Sequence, residues 1–325
     1  MQNLCQVFNS QKLLPAVGLF LLSSSLFGQQ PAAIPGTNPN QVAILRWYRA
    51  NTTASFPVGQ GPGQAAFDGS SIWVANSTSN SVTKLRASDG TSLGEFAAGS
   101  FPTGIAFDGA NIWVADQDTG SVTKLRASDG SALGSFPVGS SPISVAFDGA
   151  NIWVVNLGSS NVTKLRASDG KVLGTFPVGA SPQGIAFDGA NMWVANTAES
   201  TVTKLRASDG TVAGKFTAGT GPVALAFDGT NMWVANQGSN NVTKLLASSG
   251  AMLGTFPVGS LPQSVVFDGA DIWVTNFSSN TVTKLRASDG ALIGTFPVGQ
   301  FPEGAAFDGA NVWVVNAGSN SVSKR

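Results

Sequence analysis

The side chains that ordinarily carry catalysis are scarce and scattered in this chain. Its 325 residues include no histidine, and the single cysteine, Cys5, lies close to the N-terminus. The glutamates are Glu95, Glu199 and Glu303, too far apart in sequence to form a local acid/base pair. Aspartate recurs in a Phe-Asp-Gly motif at Asp68, Asp108, Asp148, Asp188, Asp228, Asp268 and Asp308. A calcium site needs about six to eight oxygens converging on one point. One Asp beside a Gly reads instead as a turn former. No phosphate-cradling glycine loop, zinc-ligand spacing or nucleophile elbow is present. Without His, or Cys in a mature chain, the common nucleophile–base pairs are missing. The expectation is a protein without catalysis, metal or cofactor of its own.

The remaining chemistry-bearing set is aromatic. Trp73, Trp113, Trp153, Trp193, Trp233, Trp273 and Trp313 stand 40 residues apart. Such a ring could stack sugars or bases. Identical placement in every unit and apolar neighbours assign the tryptophans to packing between units instead.

Those tryptophans belong to a 40-residue sentence, Phe-Asp-Gly-x-x-[Ile/Met/Val]-Trp-Val, that starts at Phe67 and recurs to Phe307. A fixed period of this length marks a repeat architecture. In the unit from Phe101 to Ser140, Pro102–Phe107 is a short apolar run that ends in the turn Asp108-Gly109-Ala110-Asn111. Ile112-Trp113-Val114-Ala115 is apolar at every position, as a strand covered on both faces must be. Ser121–Arg126 is half polar, and a second turn, Ala127-Ser128-Asp129-Gly130, leads to a fourth run ending in Phe136-Pro137-Val138. Four short strands grading from buried to polar make one propeller blade. The fold expected is an all-β, seven-bladed β-propeller of four-stranded blades.

The termini predict how the ring closes. Val42–Arg46 matches the third-strand pattern of Val82–Arg86, and Phe56-Pro57-Val58-Gly59 matches the fourth. The C-terminus offers strands one and two and a start on three, Ser321–Arg325. Pairing the two ends completes blade seven and removes exposed edges, leaving one copy of strand three surplus. The domain spans 42–325, behind a leader, 29–41, rich in Pro, Ala, Asn and Gly. Residues 1–28 read as a secretory signal peptide: Lys12, a short apolar run from Leu13, then small residues to Gly28. That implies an exported protein, periplasmic or secreted, with no membrane span after cleavage; an uncleaved anchor is the alternative.

With 18 basic and 18 acidic residues the chain is formally neutral, which gives nucleic acid nothing to hold. Lys84, Arg86 and their repeats, with Asp89 close by, read as a solvated rim of weak ion pairs. The expected partner is a protein, a peptide or a glycan, bound by a monomer.

Units such as Pro182–Asn196 followed by Val202-Thr203-Lys204-Leu205 resemble the NHL-like and YVTN-like bacterial propeller repeats, over residues 42 to 325. More distantly they are similar to the virginiamycin B lyase-like propellers. The resemblance implies a propeller fold and, for most such proteins, a binding platform. For the lyase-like members it implies metal-dependent chemistry through histidine, which this chain has no residue to match. Ala207-Ser208-Asp209-Gly210 also resembles a quinone-binding propeller repeat, but Trp stands here in the second strand and not near the last.

Among near-identical units, the differences are informative. The strand 1–2 and 3–4 turns scarcely change, while the connections into strand one and from strand two to three do. Alternate connections of an up-and-down blade fall on the same end of the ring, so both variable ones share a face. Near the axis this face is expected to present Thr103, Ile143, Gln183, Val223, Gln263 and Glu303. Farther out come Phe101, Asp118, Leu157, Glu199, Leu261, Phe277 and Phe301, with Leu261, Phe277 and Phe301 as an apolar patch. A ligand or partner surface explains the variation, and so does loop drift after duplication, because loops both vary and carry function. A passive spacer and a carboxylate-based enzyme are the rival functions.

Overall fold

A computed structural model describes residues 54–325. They form seven four-stranded antiparallel sheets, each in the order one-two-three-four, arranged as the blades of a ring. The predicted signal peptide and leader, and the third-strand copy at Val42–Arg46, lie outside the described residues.

The blade containing Trp73 shows why the sequence folds this way. Its strands are Pro62–Phe67, Ser71–Asn76, Ser81–Arg86 and Ser92–Ala97. Asp68 closes the first turn: one carboxylate oxygen accepts from the Ser70 and Ser71 amides at 2.8 and 2.6 Å. Its other oxygen accepts from Trp73 Nε1 at 2.7 Å. Burial pushes the Asp68 pKa up, but the donors from Trp73, Ser70 and Ser71 outweigh it and hold the carboxyl below its ordinary range. One side chain thus shapes the turn and fixes the indole.

Strand two is buried along its whole length. Trp73 packs with Ile112, Val114 and Leu125 of the next blade. Its ring also lies against Phe96 of its own outer strand, with centroids 5.4 Å apart. Phe96 in turn covers Gly130 of the next blade, where a Cβ would stand 2.1 Å from the ring. Gly130 also has φ +76°, so both space and backbone require glycine in that turn. Six of the seven repeat tryptophans are fully buried, and Trp273 is half-buried.

The lysines of strand three correct the sequence reading. Lys84 is 8% exposed, not part of a solvated rim. Its ammonium lies 4.8 Å from the Trp73 ring centroid and donates to the Ala127 carbonyl of the next blade at 2.7 Å. Strand three alternates polar and apolar residues, which reads as half-exposed. Because blades stack face to face, however, both of its faces are covered. Lys124, Lys164, Lys204, Lys244 and Lys324 repeat the contact. Lys284 instead meets Asp271 at 2.9 Å, and Asp271 replaces the Asn or Ser of the other blades. The strand 3–4 turn that would face Lys284 lies outside the described residues. The arginines do form the exposed pairs expected, as between Arg86 and Asp89 at 3.1 Å.

The ring closes with its two ends paired. Ala54–Pro57 is the outer strand of the last blade and runs antiparallel to Ser321–Lys324, with Phe56 opposite Val322. The C-terminal copy therefore supplies strand three.

Candidate functional site

The variable connections meet at one end of the ring. In the second blade the Gln117 amide donates to the Phe101 carbonyl at 3.1 Å, tying the loop after strand two to the loop before strand one. At the other end the constant turns are tied together, as where the Ala127 amide donates to the Ala110 carbonyl at 3.0 Å.

The loop before each inner strand needs a left-handed residue. Gly61 and Gly221 fill that position with φ +64°, whereas other blades place Phe101, Leu261 and Phe301 there at φ +55°, +53° and +53°. An asparagine of the preceding blade clamps each: Asn80, Asn240 and Asn280 accept from the Phe101, Leu261 and Phe301 amides at 2.8–2.9 Å. A non-glycine residue in this conformation costs roughly 1–2 kcal/mol. All three side chains are nonetheless exposed, at 37–45%. Phe301 stacks on Phe277 with centroids 4.9 Å apart and ring planes 17° apart. The Phe277 amide donates to the Leu261 carbonyl at 3.0 Å, so the three residues sit side by side.

Inside this rim the inner strands enclose a cavity of about 530 Å³. Its wall carries Thr103, Ile143, Gln183, Val223, Gln263 and Glu303, one per blade, with Phe101 and Leu157 at the mouth. Gly63 holds the same place in the first blade, and Gln64 beside it also faces the cavity. Sequence comparison passed over Gln64 because the first blade reads Gly-Gln where Thr103-Gly104, Gln183-Gly184 and Glu303-Gly304 read in the opposite order. The glycines are needed where inner strands crowd together: a Cβ on Gly104 would stand 2.5 Å from the Ser144 backbone.

Among the described residues Glu303 is the one charged residue of that wall. Its carboxylate reaches across to the first blade, where Oε2 lies 3.5 Å from the Cβ position of Gly63. Among the described residues no hydrogen-bond donor or cation pairs with it. Burial alone pushes its pKa up. Two other carboxylates do not join it. Glu199 pairs with Lys215 and accepts from the Ala180 amide at 2.9 Å, donors that lower its pKa. Asp118 accepts from Ser100 Oγ at 3.1 Å out on the loops.

No protein-family model and no curated protein matches this chain. Solved structures do resemble it. A streptogramin B lyase superposes with TM-score 0.72 at 17% identity, over 84% of this chain and 96% of that one. A catalytically inactive virginiamycin B lyase from Staphylococcus aureus, with quinupristin, gives 0.72 at 16% identity, over 84% and 98%. The hydrazine synthase of Kuenenia stuttgartiensis gives 0.71 at 18%, over 82% and 95%. All three share with this chain the β-propeller fold. Identities this low speak for the fold alone. Among the described residues the cavity is lined by one carboxylate, the amides of Gln64, Gln117, Gln183 and Gln263, and the hydroxyls of Ser77, Thr103, Ser144 and Ser264, and the chain has no histidine.

Proposed function

We propose that this protein is an exported, non-catalytic binding scaffold that takes its ligand, a protein, peptide or glycan, at the mouth of the axial cavity. One observation carries the reading. In seven otherwise near-identical blades, the wall and rim of a 530 Å³ cavity bear different side chains, and three of them hold exposed apolar residues in a strained backbone. Cavities of about 300–1,000 Å³ suit a bound group. The loop is left-handed in every blade and accepts Gly61, Gly221, Ser141 and Ser181, so the bulky apolar side chains at this position are not required by the fold and suit a binding role. Export rests on the signal-like first 28 residues, and N-terminal sequencing of the protein from the cell envelope tests it. Among the described residues no helix is long and apolar enough to cross a membrane.

Capture from cell-envelope extract tests the scaffold. The protein should retain material that a Leu261→Ser, Phe277→Ser, Phe301→Ser variant does not. Equal capture, or none, removes the patch from the site.

The shared fold of the lyases favours a second reading, an enzyme of that kind using carboxylates. Incubation with quinupristin, with and without chelator, decides it: turnover by this protein would displace the scaffold reading.

A further inference from the structure

The cavity wall is two-sided. Gln263, Glu303 and Gln64 come from three successive blades and form a polar arc around one carboxylate. Across the ring Ile143 and Val223 flank Gln183, and Phe101 and Leu157 carry apolar surface to the mouth. Among the described residues the carboxylate has room and no partner: Gly63 withdraws any side chain from beneath it, and no lysine or arginine lines the cavity. A half-buried carboxylate without a counter-charge costs free energy that a bound cation returns. A neutral ligand would leave that cost in place, and an anion would raise it. A metal ion would find a single acidic ligand where hard cations want several oxygens. The apolar wall opposite suits a ligand whose charged end is small and whose body is not.

From this two-sided wall we infer that the cavity binds a primary ammonium attached to an apolar body, the ammonium on Glu303 between the Gln64 and Gln263 amides and the body against Ile143, Leu157 and Phe101. The inference rests on the mouth being the binding site and names the ligand chemistry. A free alkylamine and a peptide amino group share that chemistry. Glu303 must be ionised to act, and its burial keeps it protonated to a higher pH than a surface glutamate. Binding therefore weakens as pH falls through its raised pKa. Among the described residues no other titratable group lines the cavity to mask the change.

The test is titration calorimetry of the full chain with hexylammonium, 1-hexanol and hexanoate, repeated on Glu303→Gln. Hexylammonium should bind about tenfold or more tightly than hexanol, hexanoate should not bind, and Glu303→Gln should abolish the preference for the ammonium. A phenylalanyl peptide with a free amino terminus, set against its acetylated form, separates the two sources. Because Glu303 has no partner to lose and its unpaired charge is unfavourable, Glu303→Gln should melt at or above the parent, which excludes misfolding. Equal binding of hexylammonium and hexanol, unchanged affinity in Glu303→Gln, or no binding of hexylammonium overturns the inference. If envelope material is still captured, and lost only in the Leu261, Phe277 and Phe301 variant, the cation is wrong and the scaffold stands. If neither binds, both fall.

Discussion

Oε2 of Glu303 lies 3.5 Å from the place a Cβ would occupy on Gly63 of the neighbouring blade. Among the described residues the only charged group of the cavity wall therefore rests over Gly63, the one of seven equivalent inner-strand positions that lacks a side chain. Gly63 has no left-handed backbone, so a larger residue is tolerated there. Gly63→Leu should fill the mouth beside Glu303 and abolish ligand capture while shifting stability by less than about 1 kcal/mol. Urea unfolding beside capture checks both halves.

Phe101 makes the opposite trade. Its left-handed backbone, φ +55°, is what Gly61 and Gly221 supply without strain. Phe101→Gly should stabilise the fold by up to about 1 kcal/mol, the relieved strain less the extra chain entropy of glycine. Ligand binding should weaken at the same time. A stability loss of similar size would show that the ring packs in the fold rather than serving the mouth.

Asp116 stands where the other blades have Asn76, Asn156, Asn196, Asn236, Asn276 and Asn316, and it is fully buried. Burial is the main cause of its pKa rising from 3.8 to about 6, against donors from Thr123 and Gly99. Between those values the folded chain holds a proton that the unfolded chain has released. Stability therefore falls as pH rises from about 4 to 6 and is flat above. Asp116→Asn should be more stable by about 3 kcal/mol at pH 8 and converge with the parent near pH 4. Melting temperatures across that range check it.

Lys124 carries a prediction for the joints between blades. It donates to the Ala167 carbonyl at 2.7 Å and sits 4.9 Å from the Trp113 centroid. Lys124→Met should cost about 2–3 kcal/mol by orphaning that carbonyl and losing the cation–π contact. Arg126→Ala, which removes an exposed ion pair with Asp129, should cost less than about 0.5 kcal/mol. Denaturant midpoints of the two variants should differ accordingly.

The blade could be read from sequence because its signals are local: Asp108 turns the chain at Gly109, and strand two is apolar at four successive positions. Closure could be read because Phe56-Pro57 and Val322 carry the pattern past the ends of the array. Lys84 could not be placed, because its partners Ala127 and Trp73 meet it only when blades stack. Asp68 was legible as a turn former, but not as the group that orients the Trp73 indole. Glu303 was visible as an odd residue in its repeat. Its isolation over Gly63 depends on the ring being closed.

The central claim, binding at the cavity mouth, is tested most directly by blocking one face at a time. In a Cys5→Ser background, Thr103→Cys places a single thiol in the cavity wall and Ala190→Cys places one on an exposed constant turn. Each is coupled to a bulky maleimide before capture from cell-envelope extract. The account predicts that the label at position 103 abolishes capture and the label at position 190 leaves it intact. Capture lost through position 190, or kept despite position 103, would contradict it.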